Sequence, residues 1–209
     1  MLVSPIPPGT KLADTVSTEL DLPTLKAFMA DGIRGIIAYL HGNLTAQLLT
    51  NCQSLGMGVV PVNFAHPPGW IPTSAMGTID GTSSVKALAA LGVPMNGLID
   101  WIDIEGCGAD PTLYIDACAE AISGDGSGRV PGEYVGAGGL LNAQKLYALP
   151  GIHAYWHSCS QGIPEPECGF VLVQLPPPNI VVPGTGVPVD YDFACGDFRG
   201  RRATWLVSP

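Results

Sequence analysis

The chain has 209 residues, a length that suits one sizeable domain, and it is 46% hydrophobic and only 13% charged, which excludes disorder and implies a large buried core. Its net charge is −9 and its nine basic residues are scattered apart from Arg199, Arg201 and Arg202, so no basic face exists to neutralise phosphates; nucleic acid is excluded as a partner and the arginines read as a solvated tail. No apolar run approaches the roughly 18–20 residues that cross a bilayer. The first nine residues also lack the basic and apolar regions of a signal peptide, so no membrane partner is expected and any export would use lysis, a holin-type pore or incorporation into a particle.

Taken in order, Lys11 to Val16 reads as a short strand carrying Asp14 at its end. A helix follows from Asp21, with Pro23 in its first turn and Gly32 as its stop. Ile33 to Leu40 is a buried strand that ends at Tyr39, and Leu44 to Leu55 shows apolar residues at helical spacing, closed by Gly56. Gly58 to Ala65 is a third strand, with Asn63 and His66 at its end. A loop rich in proline and glycine, Pro67 to Gly81, then leads into a helix from Thr82 to Leu91.

The fourth strand, Leu98 to Glu105, stays apolar almost to its end and then presents Asp103 and Glu105. A strand has a side-chain period of two, so both carboxylates face one side, with Cα atoms about 6–7 Å apart. Asp110-Pro111 opens a helix running to about Ile122, Gly132 to Gly136 is a fifth strand, and Asn142 to Leu149 a fifth helix. After Pro150 the helical period disappears. His153 to Ser158, Phe170 to Leu175 and Val187 to Phe193 read as three bare strands joined by Pro/Gly-rich connections. Five strand–helix units followed by three strands with non-helical connections give the eight strands of a TIM-like barrel. The whole chain, 1–209, reads as one domain, with its core at about 11–193 and loop extensions at both ends.

On such a barrel, chemistry is expected where the strands end. Asp14, Tyr39, Asn63, Asp103, Glu105, Tyr134, Gln174, Asp190 and Asp192 all fall there. Crowded acids raise one another's pKa, and glycoside hydrolysis needs one protonated carboxyl beside one ionised carboxylate. Tyr39, Tyr134, Tyr155, Trp101 and Trp156 are candidate sugar-stacking faces, set against the plain alternative of core aromatics. Other chemistries fit worse. Cys107, Cys159 and His157 lack a flanking motif for nucleophilic catalysis. His153 and His157 share a strand face but no third zinc ligand accompanies them. A hard cation on Asp103, Glu105, Asp190 and Asp192 ranks below the glycosidase reading, and no Gly-rich phosphate loop follows the first strand. Neither metal nor cofactor is expected. Cys52 and Cys118 fall in helical patterns and read as buried hydrophobes, while Cys159 and Cys168 flank a loop that a disulfide could bridge in an oxidising setting.

Asp-Ile-Glu ending the fourth strand, a lone Asp ending the first, Ala-Tyr-Trp-His on the sixth, a Gln on the seventh and Val-Asp-Tyr-Asp on the eighth together resemble the glycoside hydrolase family 25 lysozymes. The resemblance is closer still to the glycoside-hydrolase-like domains long catalogued as a domain of unknown function. It spans about Lys11 to Phe193 and implies a barrel of five strand–helix units and three plain strands. It further implies Glu105 as general acid/base, Asp103 as the carboxylate that stabilises charge or orients an N-acetyl group, Asp14 as the first strand's acid and Asp190 or Asp192 as the last strand's. The lysozymes cut the bond between N-acetylmuramic acid and N-acetylglucosamine in peptidoglycan; the closer relatives occur in cell-wall-associated bacterial proteins and in phages. The chain departs from the lysozymes in the Ala-Asp-Thr of its first strand, in its Pro/Gly-rich 67–82 stretch, and in carrying no wall-binding repeat after the barrel. Two functions are therefore expected as alternatives. One is a muramidase-type enzyme acting on cell-wall glycan, with Tyr39, Asn63, Tyr134, Trp156, Gln174 and Asp192 contacting substrate. The other is a non-catalytic phage tail or glycan-binding component, with other virion proteins as partners. An open cleft between Glu105 and Asp103 would favour the first.

Overall fold

The computed structural model describes residues 1–63, 66–160 and 165–209; Phe64 and Ala65, the end of the expected third strand, and part of the 159–169 connection lie outside them. The strands are β1 (Leu2–Pro5), β2 (Lys11–Asp14), β3 (Gly35–Tyr39), β4 (Gly58–Val62), β5 (Ile99–Ile104), β6 (Val130–Val135), β7 (Ala154–His157), β8 (Leu172–Val181), β9 (Pro188–Ala194) and β10 (Thr204–Val207). The helices are α1 (Leu22–Ala30), α2 (Ala46–Ser54), α3 (Ser74–Ala90), α4 (Thr112–Ser123) and α5 (Ala143–Tyr147). Strands β2 to β9 close on themselves as a barrel: each pairs with the next, and β9 returns to β2. It is a mixed barrel. Pairings from β2 round to β8 are parallel, whereas β9 is antiparallel to both β8 and β2.

Local chemistry explains most boundaries. The Asp21 carboxylate accepts from the Thr24 N–H at 2.9 Å and caps α1, and Thr45, Thr73 and Asn142 cap α2, α3 and α5 in the same way. Asp110 accepts from both the N–H and the hydroxyl of Thr112 to open α4, with Pro111 one place earlier than expected, at the cap itself. The largest departure is α3. It starts at Ser74, within the stretch read as loop, because Gly77 and Gly81 are helical residues where α3 lies against α4. A Cβ on Gly77 would sit 2.1 Å from the Tyr114 carbonyl oxygen, and one on Gly81 2.6 Å from that of Cys118.

Apolar residues pack in three layers. Leu12, Ile37, Val62, Trp101, Trp156 and Leu172 fill the barrel. Residues of α1 and α2 cover the outer faces of β3 and β4, and residues of α4 and α5 cover β5 to β7. The chain ends, expected as loop extensions, form β1 and β10 instead. They pair antiparallel, and β10 joins β4 at Leu206↔Val59. Ile6 and Ala203 are fully buried in the barrel's apolar cluster, and Trp205 lies so close over Gly58 that a Cβ there would meet its ring at 2.1 Å. The two termini thus seal the end of the barrel opposite the strands' carboxyl ends. The arginine tail is partly anchored: Arg201 donates to the His153 carbonyl at 2.6 Å. All six cysteines are unpaired thiols, with Cys52, Cys107, Cys118 and Cys168 buried, so no disulfide bridges Cys159 and Cys168. Among the described residues no helix is long and apolar enough to cross a membrane.

Candidate functional site

Strand period sorts the acids of β5. Asp100 points outward, where it accepts from Ser84 at 2.6 Å and from Arg129 at 3.1 Å, both buried. Asp103 and Glu105 point to the barrel mouth, where each feels the charge of other acids. Asp14 ends β2 and stands directly opposite Asp190 in the antiparallel β2–β9 ladder. Like charges so placed repel, which favours a proton on Asp14. Because β9 runs against its neighbours, Asp190 enters the rim at the start of its strand, not the end. Asp192 lies one pleat deeper, opposite Leu12, fully buried and accepting from Trp156 Nε1 at 2.7 Å.

Hydroxyls and amides tie the acids together. Tyr39 donates to Asp14 at 3.2 Å. The Tyr134 hydroxyl lies 3.0 Å from Ser158 Oγ and 3.1 Å from Gln174 Oε1, and Gln174 Nε2 donates to Asp190 Oδ2 at 3.0 Å. The other Asp190 oxygen accepts from the Asn179 N–H at 2.5 Å, within the β8–β9 hairpin. Both Asp190 oxygens are therefore engaged in holding that hairpin at the rim. Asp103 Oδ1, Asp192 Oδ2 and Trp101 Nε1 are buried without a hydrogen-bond partner among the described residues.

Burial is the leading cause of the shifted acidities. It raises Asp14 to about 8, with the Tyr39 bond opposing and Asp190 and Glu105 adding. It lifts Asp103 well above the carboxylate range, with Glu105 and Asp14 adding, and lifts Asp192 likewise, with Asp14 adding and the Trp156 bond opposing. Glu105 is raised by burial and by Asp190, against hydrogen bonds from the Ala137 N–H and the Tyr134 hydroxyl. The cluster therefore keeps protons near neutral pH. Of the raised carboxyls, Glu105 alone is half-buried; Asp14, Asp103 and Asp192 are buried. A proton leaving the cluster toward a bound molecule therefore leaves from Glu105.

A stability consequence follows from Asp14. An acid whose folded pKa lies above its ordinary value of 3.8 binds more protons folded than unfolded, so stability falls as pH rises from about 4 to about 8. The urea midpoint is expected to drop over that range, and Asp14→Asn is expected to flatten the drop. A midpoint that rises from pH 5 to pH 8 in the wild type would contradict a proton-holding cluster.

The structure brings together Asp14, Tyr39, Asp103, Glu105, Tyr134, Gln174, Asp190 and, beneath them, Trp156 and Asp192. It does not bring Asn63, which follows the inward-facing Val62 and directs its amide at Cys118 Sγ of α4, 3.8 Å away. Among the aromatics, Trp101 and Trp156 are buried in the barrel with ring centroids 5.7 Å apart, and Tyr155 faces outward against Tyr147. They build the floor and the wall; they are not open stacking faces. Among the described residues no group of three His, Cys, Asp or Glu side chains is arranged to hold a metal ion.

Two features were not found from the sequence. The Glu105 carboxyl lies directly over Gly136, where a Cβ would stand 1.8 Å from Oε1. Trp70, in the loop before α3, donates from its indole to the Glu105 carbonyl at 2.8 Å and stacks on His66 with centroids 4.2 Å apart. The Gly-Ala-Gly-Gly run at 136–139 was the available signal for the first; nothing local marks the second.

Two solved structures share this fold over most of the chain. A crystal structure of an uncharacterized B. stearothermophilus protein superposes with a TM-score of 0.66 at 19% identity, covering 90% of this chain and 96% of that one. The Mycobacterium tuberculosis Tat-secreted protein Rv2525c, in complex with L-tartrate, superposes with a TM-score of 0.63 at 17% identity, with the same coverage of 90% and 96%. No protein-family model matches the chain, and no curated protein matches its sequence. At these identities the likeness is one of fold: the chain has the same barrel as these two proteins.

Proposed function

We propose that the chain is a glycoside-hydrolase-like barrel of the TIM-like kind, five strand–helix units followed by three strands, acting on bacterial cell-wall glycan in the manner of a muramidase. The observation that carries this reading is the proton-holding acid cluster at one barrel mouth, with Glu105 as its half-buried member. In this reading Glu105 protonates the glycosidic oxygen of the departing sugar. Its resulting carboxylate is stabilised by the Ala137 N–H, and by the Tyr134 hydroxyl as that proton turns from Ser158 and Gln174. Asp103 orients an N-acetyl group in its protonated form or, once its proton is released, supports the positive charge developing on the sugar ring, while Asp14 holds a proton in the cluster against the bond from Tyr39. The protein meets the wall on lysis or as part of a virion.

A second reading, a barrel that binds glycan or builds a virion without turnover, is favoured by the burial of Asp103, which is 3% exposed, and by the engagement of both Asp190 oxygens. Release of reducing ends from purified peptidoglycan, measured for wild type beside Glu105→Gln, separates the two. Hydrolysis by wild type that is lost in the variant supports the enzyme with Glu105 as its acid. Folded wild-type protein that binds peptidoglycan but releases nothing across several wall types sinks the enzymatic reading.

A further inference from the structure

Among the described residues, β4 pairs with β5 at Val62↔Trp101, and the Asn63 N–H reaches the Trp101 carbonyl at 2.7 Å. Further along, the loop after β4 lies directly against the loop after β5. The Gly69 N–H donates to the Gly106 carbonyl at 2.7 Å and the Gly108 N–H to the Trp70 carbonyl at 2.7 Å. Between these two bonds the Trp70 indole donates to the Glu105 carbonyl at 2.8 Å. Gly106 has a φ of 55°, and a Cβ on it would stand 3.1 Å from Pro68 Cα. Glycine there answers both the turn and the approach of the other loop.

The peptide that joins Glu105 to Gly106 is therefore gripped at both ends. Its carbonyl accepts from Trp70, and its N–H donates to the Ala137 carbonyl at 2.8 Å. Ala137 in turn presents its own N–H to the Glu105 carboxyl, which lies over Gly136. Rotation of that peptide breaks the bond from Gly106 to Ala137 and moves the donor away from the carboxyl. The indole is itself fixed. It is buried, stacks on His66 with centroids 4.2 Å apart and meets Tyr114 edge to face at 4.9 Å. One carboxylate of α3 secures both neighbours: Asp80 Oδ2 lies 2.7 Å from His66 Nε2 and accepts from the Tyr114 hydroxyl at 2.8 Å.

We propose that Trp70 is a positioning residue for Glu105, its indole N–H setting the Glu105–Gly106 peptide so that Ala137 meets the carboxyl. Filling space between His66 and Tyr114 asks only for an aromatic ring. The donor is a separate property, and it is spent on the backbone of the one half-buried acid of the cluster. Acting through the backbone, the indole governs the rate of proton transfer from Glu105 and leaves substrate affinity alone. That kinetic consequence rests on the muramidase reading; the placement of the carboxyl does not.

Amide NMR of the full chain, titrated from acid to alkaline pH, tests it. In wild type the Ala137 amide is expected to shift as Glu105 ionises, and Glu105→Gln to remove that shift. Trp70→Phe keeps a ring in the stack and removes the donor. It is expected to cut the shift by about half or more, since hydrogen bonds weaken steeply with misalignment. In peptidoglycan hydrolysis the same variant is expected to lose about 10²-fold in kcat at unchanged KM, the scale of a misplacement of about 1 Å. Should Trp70→Phe fail to fold, Asp80→Asn takes its place, with the same reduced shift expected; it keeps the indole and loosens both of its ring neighbours. An Ala137 shift that is missing in wild type, that survives Glu105→Gln, or that keeps its full size in the folded variant would each overturn the inference. So would a Trp70→Phe protein that raises KM at unchanged kcat. Wild-type protein that releases no reducing ends removes the muramidase reading and leaves the amide titration to decide this one.

Discussion

Under the proposed muramidase reading, Gly136→Ala is expected to lose peptidoglycan hydrolysis to the same degree as Glu105→Gln, about 10²–10⁴-fold, the range that a positioned general acid supplies. The added methyl would stand 1.8 Å from Glu105 Oε1 and 2.5 Å from its Cδ. No carboxyl stays in place at that separation. The atoms in the way belong to the end of a flexible side chain, so the clash is relieved by swinging Glu105 aside, at little cost to the fold. The swing removes the Ala137 N–H and Tyr134 contacts that hold the acid. Rate should therefore fall while the urea midpoint stays within a fraction of a molar of wild type. A Gly136→Ala protein with full activity would show that the acid is not used where it lies. One with no fold would show that Gly136 supports the strand and not the site.

The same residue shows what a linear sequence can and cannot convey. Alternation of strand and helix depends on hydrophobic period, which is local, and it placed β2 to β7 and the acids at their ends. Period two also placed Asp103 and Glu105 on one face; the structure puts Asp100 of the same strand on the other, where it serves α3 and Arg129. Strand direction is not local. Val187 to Phe193 reads identically in either sense, and only pairing with both β8 and β2 sets β9 antiparallel, which brings Asp190 to the rim by its leading end. Asn63 was assigned to the rim because it follows an apolar run; one residue of register turns it outward to Cys118. The chain ends read as loops because β1 and β10 pair, among the described residues, with each other across the whole length of the chain and with β4, which no local pattern conveys. Close backbone approaches are equally silent. Glycine is ordinarily a sign of turns, and in the 67–81 stretch that rule concealed nearly half of α3.

Gly77→Ala decides between those two meanings of glycine by its sign. In a solvent-facing helix the change would stabilise by about 1 kcal/mol, since alanine is the better helix former. In α3 the new methyl would lie 2.1 Å from the Tyr114 carbonyl oxygen, 3.0 Å from its carbonyl carbon and 3.1 Å from the Cys118 nitrogen. All three are backbone atoms of α4 and none can rotate away. The helices must separate along a contact that also includes Gly81, uncovering Cys118 and Ala119, which are almost fully buried. Overpacking of that kind costs about 3 kcal/mol, beyond the propensity gain. Urea denaturation of the full chain is expected to show the midpoint falling, with an unchanged slope. Gly81→Ala, whose Cβ would lie 2.6 Å from the Cys118 carbonyl oxygen, should follow with a smaller loss. A rise in midpoint for Gly77→Ala would mean that α3 and α4 are not in contact at these glycines, and that the 67–81 stretch is the loop its composition suggests.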